Sequence, residues 1–129
     1  PPMTFFERDR AMKRDALIRH IEARYHVQPE YLWAATPRYA IFRRADSRKW
    51  FCALVDISGH KLGLPDAAII DVLNVKVVPE LVGSLRQMKG FFPAYHMNKE
   101  HWVSLLLSGG PDQQTIFDLI DAAYGLSKK

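Results

Sequence analysis

The run Arg38 to Arg44 (RYAIFRR), the polar link Ala45-Asp46-Ser47-Arg48 and the run Lys49 to Ile57 (KWFCALVDI) decide the fold. Two segments rich in aromatic and β-branched residues, joined by a few polar ones, read as a β-hairpin. In the second run, alternation puts Phe51, Ala53, Val55 and Ile57 on one side and Trp50, Cys52, Leu54 and Asp56 on the other. Few of these residues are polar, so the strand is expected to be covered on both faces, with Cys52 as packing rather than a reactive thiol.

Upstream, Leu17, Ile18, Ile21 and Tyr25 recur at helical spacing among frequent charges, which predicts an amphipathic helix from Phe5 to about Tyr25, ended by Val27 to Pro29. Phe5, Phe6 and Met12 extend its apolar face loosely. The start lies between Thr4 and Asp9, and the capping-box spacing of Thr4 and Glu7 favours the early one. Downstream, Gly59, Gly63 and Pro65 mark a turn that lacks the glycine spacing of a phosphate-cradling loop. Ala67 to Val78 reads as a third strand, with Asp71, Leu73, Val75 and Val77 opposed to Ile70, Val72, Asn74 and Lys76. Pro79-Glu80 opens a helix with Leu81, Val82, Leu85 and Met88 on its buried face and Gly90 at its end. Phe91-Phe92-Pro93 reads as a turn, and His101 to Leu107 as a strand stopped by Ser108-Gly109-Gly110-Pro111. Asp112 caps a last helix that buries Ile116, Leu119, Ile120 and Ala123 and closes at Gly125. This order implies an α+β fold, an antiparallel sheet flanked by helices, in one domain spanning residues 1–129.

A chain of 129 residues, 48% hydrophobic and 25% charged, suits that single globular domain, expected to be a monomer. Cys52, the only cysteine, allows no intrachain disulfide and points to the cytoplasm. No run approaches the roughly 20 apolar residues that cross a bilayer, and the start is charged where a signal peptide would be apolar, so no membrane role is expected. Pro1 and Pro2 ahead of Met3 read as residues left by cloning. The net charge of +4 resides in one segment: Arg38, Arg43, Arg44, Arg48 and Lys49 stand against Asp46 alone, and the rest of the chain is balanced. Such a cluster fits an acidic partner. DNA or another nucleic acid leads, its phosphates contacted by these five residues with Lys99 as a further candidate. An acidic protein docked on a sheet face or edge is the alternative, and a hairpin merely kept soluble by its charges stands beside both.

Residues 92–102 hold the densest group of functional side chains. His96 and His101 are five apart, which does not bring two imidazoles to one ion, and no other ligands are near; no metal or cofactor is expected. Ser104 with His101 lacks an elbow motif and oxyanion donors, while Glu100 and His101, adjacent on a strand, would face opposite ways. No catalytic residue is assigned. The residues read instead as structural, His96 and Asn98 bonding the turn's backbone and Trp102 anchoring the core.

The same segment, Phe92-Pro93-Ala94-Tyr95-His96-Met97-Asn98-Lys99 followed by His101-Trp102-Val103, resembles the hallmark of the MmcQ/YjbR-like family, a domain of unknown function. Pro93, His96, Met97, Asn98, Lys99, His101 and Trp102 form the matching signature. Val75-Lys76-Val77 and Pro79-Glu80-Leu81 ahead of it, and Leu119 to Tyr124 after it, fit the same pattern, so the resemblance covers most of residues 33–125. It implies an antiparallel sheet flanked by helices, related to the CyaY-like and secretion-chaperone-like architectures, and the DNA-binding role commonly ascribed to the family from two β-rich projections likened to wings. The Arg43 to Lys49 hairpin is an emphasis of this sequence outside that pattern.

Overall fold

The computed structural model describes residues 2–129, apart from the side chains of Phe6, Ala11 and Met12; the readings of Pro1 and of the Phe6 and Met12 side chains lie outside the described residues. Helix α1 (Phe5–Tyr25) starts at the early position, with Thr4 Oγ1 accepting from Glu7 N at 3.0 Å and Glu7 Oε1 accepting from Thr4 N at 3.1 Å. His26, in the left-handed conformation at φ 54°, ends it. Then come β1 (Ala40–Arg43), β2 (Trp50–Ser58), a 3-10 turn (Gly59–Leu62), β3 (Ile69–Lys76), α2 (Pro79–Arg86), β4 (Phe91–Pro93), β5 (Trp102–Leu106) and α3 (Gln113–Leu126). The five strands form one antiparallel sheet in the order β1-β2-β3-β5-β4.

All three helices lie on one face: α3 over β2 and β3, α2 over β5 and β4, and α1 over β3. Between them and the sheet is the main core, in which Phe42, Phe51, Leu54, Leu73 and Leu105 meet Ile21, Ile116 and Ile120. The other face carries a smaller cluster, Val55, Ile57 and Val72, covered by Tyr39, Leu62 and Tyr95 from irregular segments rather than by helices.

Several expectations are corrected. Strict alternation fails at the start of β2, because the register passes from Phe42↔Cys52 to Arg43↔Trp50 and leaves Phe51 unpaired as a β-bulge. Phe51 therefore enters the helix-side core beside Cys52 and Leu54, and Trp50 joins Ala53 and Val55 on the other face. Phe91-Phe92-Pro93 is an edge strand, not a turn; Pro93 costs nothing there because an edge needs no N–H from it. Helix α2 ends at Arg86, four residues before Gly90, so Met88 lies beyond it; Leu81 and Met88, expected on its buried face, are about half exposed at 47% and 48%. Gly90 instead turns the chain into β4 at φ 83°, and a Cβ there would come within 2.5 Å of Gly110 Cα. Helix α3 runs through Gly125 to Leu126, where Ser127 caps it. The third strand is shorter than expected, but its two faces divide as the alternation implies.

Candidate functional site

Two polar residues inside apolar strands organise the open face. Asn74 of β3 and Ser104 of β5 are partners across the antiparallel register, and both are buried. Ser104 Oγ donates to Asn74 Oδ1 and accepts from Tyr95 N at 2.8 Å, while Asn74 Nδ2 donates to Tyr95 O at 3.0 Å. Both backbone groups of Tyr95 are thereby tied to the sheet, which fixes the turn that follows β4. His96 next to it is left-handed at φ 55°, and its ring stacks on that of Tyr95 at 3.9 Å and 15°.

This turn forms one wall of a recess of roughly 480 Å³. The segment between α1 and β1 forms the other, and Ile41, Trp50, Ala53, Val55 and Asn74 floor it. Four aromatic side chains border the space: Trp33, Tyr39, Trp50 and Tyr95. Trp33 meets both Tyr39 and Trp50 edge-to-face, with centroids 6.1 Å apart in each case, so the rings present differently oriented surfaces. Burial, and then the neighbouring Tyr95, pushes the Tyr39 phenol up to about 12, so it stays protonated. At one end, the Arg43 guanidinium lies 5.9 Å from the Trp50 ring centroid.

Across the Tyr95–His96 pair lies a second cleft, roughly 320 Å³, bordered by Lys61, Phe92, Pro93, His96 and Lys99. The signature residues thus converge on this turn with distinct tasks. Pro93 ends the edge strand, His96 stands between the two depressions, Met97 lines the recess and Lys99 the cleft. Asn98 Oδ1 accepts from Glu100 N at 2.8 Å, His101 links to Asn98 O and Val77 N, and Trp102 is buried. The backbone-bonding expectation holds for Asn98; His96 instead makes the ring stack.

The hairpin is not a bare basic projection. Arg38 lies 3.1 Å from Asp56, and Glu30 is shared by Arg43 at 3.1 Å and Arg48 at 4.0 Å. The Arg43 contact is close enough for an ion pair, but its Nε–H is not aligned on the carboxylate. Arg44 is committed to the structure: two nitrogens donate to Asp46 at 2.8 Å, a third donates to Tyr124 O at 2.9 Å, and the guanidinium sits 4.0 Å over the Tyr124 ring. It and Ser47, which donates to Ser127 O, dock the hairpin turn on the carbonyl end of α3, where positive charge is favoured. Lys49 makes no ion pair among the described residues, and its charge adds to burial in lowering the pKa of Lys76.

Burial pushes the Cys52 thiol far up, so it is protonated and unreactive. Among the described residues, no group of three or more His, Cys, Asp or Glu side chains is arranged to hold a metal ion, and no helix is long and apolar enough to cross a membrane.

Sequence reasoning missed Trp33 and the Asn74–Ser104 pair. Two polar residues at the centres of otherwise apolar strands were the available signal for that pair.

The YjbR family model matches residues 22–126. The Bacillus subtilis protein YyaQ is 34% identical over 117 residues, spanning 91% of this chain and 99% of that protein, and is described as uncharacterized. The Escherichia coli protein YjbR, described likewise, is 38% identical over a shorter 53 residues, 40% of this chain and 45% of that one. A crystal structure of a Pseudomonas syringae protein superposes with a TM-score of 0.86 at 42% identity, covering 88% of this chain and 97% of that one. A Deinococcus radiodurans protein with a DUF419 domain shares the fold at a TM-score of 0.66 and 21% identity, over 90% of this chain and 78% of its own.

Proposed function

We propose, from the premise that this chain belongs to the YjbR family, that it is a cytoplasmic, non-enzymatic protein that binds nucleic acid through the open face of its sheet. The observation that carries the reading is the recess in which Trp33, Tyr39, Trp50 and Tyr95 come together. Half-buried rings beside a cationic margin are what unpaired bases need: each base stacks on an aromatic surface whatever its identity, and the phosphates meet the cations. Bases inside a duplex cannot reach such walls, so single strands are the preferred form. The binding surface moves accordingly from the tip of the basic hairpin to the face behind it. Arg43, Arg48 and Lys49 stay at its margin, where the exposed ion pair of Arg48 is weak enough to be exchanged for a phosphate; Arg44 drops out.

Titration of the protein with single-stranded and duplex DNA at about 50 mM salt, read by tryptophan fluorescence, tests this. Single strands should saturate and quench the signal, duplex should bind less, and both should weaken as salt rises. Failure to bind either form, or binding unchanged in Trp33→Ala, removes the reading.

An acidic-protein partner is the second reading, favoured by one observation: most of the hairpin arginines already face carboxylates, as they would in a surface that exchanges one carboxylate partner for another. Recovery of a stoichiometric protein partner from nuclease-treated lysate, lost in Arg43→Glu, supports it over the first.

A further inference from the structure

Resting on that reading, we infer that the site accepts a complete nucleotide unit, its base in the aromatic recess and its phosphate in the adjoining cleft of Lys61, His96 and Lys99. The two depressions share one wall, the stacked rings of Tyr95 and His96. The wall is held from below by Asn74 and Ser104, and His96 keeps a left-handed backbone that a non-glycine residue adopts when its surroundings impose it. Its two sides differ in chemistry. On one side are aromatic rings and aliphatic floor; on the other, two ammonium groups and an imidazole stand at the edge of a cleft that Leu62, Phe92, Pro93 and Ala94 also line.

Unlike the hairpin arginines, neither Lys61 nor Lys99 lies within ion-pair distance of a carboxylate among the described residues, and both are exposed. A concave surface with unpaired positive charge on its rim favours a compact anion. An apolar peptide side chain filling the recess would gain nothing from it. Only one pair of rings separates the depressions, so a sugar can bridge from base to phosphate.

The test follows the backbone amide and tryptophan indole NMR signals of the whole protein during additions of thymidine, thymidine monophosphate, inorganic phosphate and a short oligothymidylate. Thymidine monophosphate should bind at least about tenfold more tightly than thymidine, moving the Trp33 and Trp50 indole signals together with the His96 and Lys99 amides. Lys61→Gln with Lys99→Gln should abolish that advantage and leave the thymidine affinity unchanged. Per nucleotide, stronger binding of oligothymidylate identifies a nucleic-acid strand as the source of the phosphate; stronger binding of the monophosphate identifies a free nucleotide. Equal affinities for thymidine and its monophosphate, with the recess responding to both, overturn this inference and leave the nucleic-acid reading intact. If inorganic phosphate moves His96 and Lys99 while oligothymidylate and thymidine move nothing, the nucleic-acid reading falls and the nucleotide assignment with it.

Discussion

The two faces of the sheet are made by the same strands and finished in opposite ways. On one, three helices close over a carbon core, and polar contacts tie α1 to α3: Arg24 holds Asp121 through two nitrogens at 2.6 and 2.9 Å, and Tyr25 donates to the same carboxylate. On the other, irregular segments stand in for helices, aromatic rings are left half open, and Lys61 and Lys99 have no carboxylate partner among the described residues. A sheet gains most of its stability from one well-covered face, which frees the second to be shaped by loops around a ligand. Strand β2 serves both ends through one irregularity, the bulge that turns Phe51 inward to the helices and Trp50 outward to the recess.

The largest effect expected from this contrast is on stability. Phe51→Ala should cost about 3–5 kcal/mol in urea unfolding, since the ring is fully buried. Trp33→Ala, across the sheet and 42% exposed, should cost under about 1 kcal/mol. Comparable losses would erase the distinction between the faces. Next is the link that shapes the open face: Ser104→Ala leaves Tyr95 N and Asn74 Oδ1 short of a partner and should cost about 1–3 kcal/mol, with weaker oligonucleotide binding as the turn loosens.

For binding, the order reverses. Trp33→Ala should lose about 1–3 kcal/mol of affinity for a single strand, roughly one to two decades, by fluorescence titration. Of the hairpin cations, Arg48→Gln should change folding stability by less than about 0.5 kcal/mol, because its carboxylate contact is long and exposed.

Acid should weaken the helix side first. His20 stacks on Phe117 at 3.6 Å, and burial, then Arg24, lowers its pKa. The unfolded chain therefore takes up that proton first, and stability should decline as pH falls below about 6.5 towards the lower folded value. Asp121, held low first by Arg24, contributes stability above the ordinary aspartate range of about 4 that is lost as pH falls through its depressed folded pKa. Urea midpoints between about pH 7 and 5 should slope downward in the native chain and flatten in His20→Phe, which keeps the ring stack; an unchanged slope assigns the effect elsewhere.

The helix-covered face was legible because it is periodic. The α1 capping box, the alternation in β3 and the Asp112 cap are local patterns that the structure keeps. Its misreadings are local too: a bulge shifts alternation by one, and three residues of edge strand look like a turn. The open face was harder for a different reason. Its walls come from segments without periodicity, and Trp33 and Tyr95 are far apart in sequence. The basic hairpin shows the same limit in charge. Residues 38–49 alone hold one carboxylate, Asp46, whereas Asp56, across the hairpin on β2, and Glu30, from the segment ahead of β1, pair with three of its arginines.

Hydrogen–deuterium exchange with and without single-stranded oligothymidylate tests most directly whether the open face is where this protein meets its partner. The account predicts slowed exchange in residues 31–39 and 94–101, with residues 44–47 of the hairpin turn and helices α1 and α3 unchanged. Protection confined to the hairpin turn or the helices, or no protection anywhere, contradicts it.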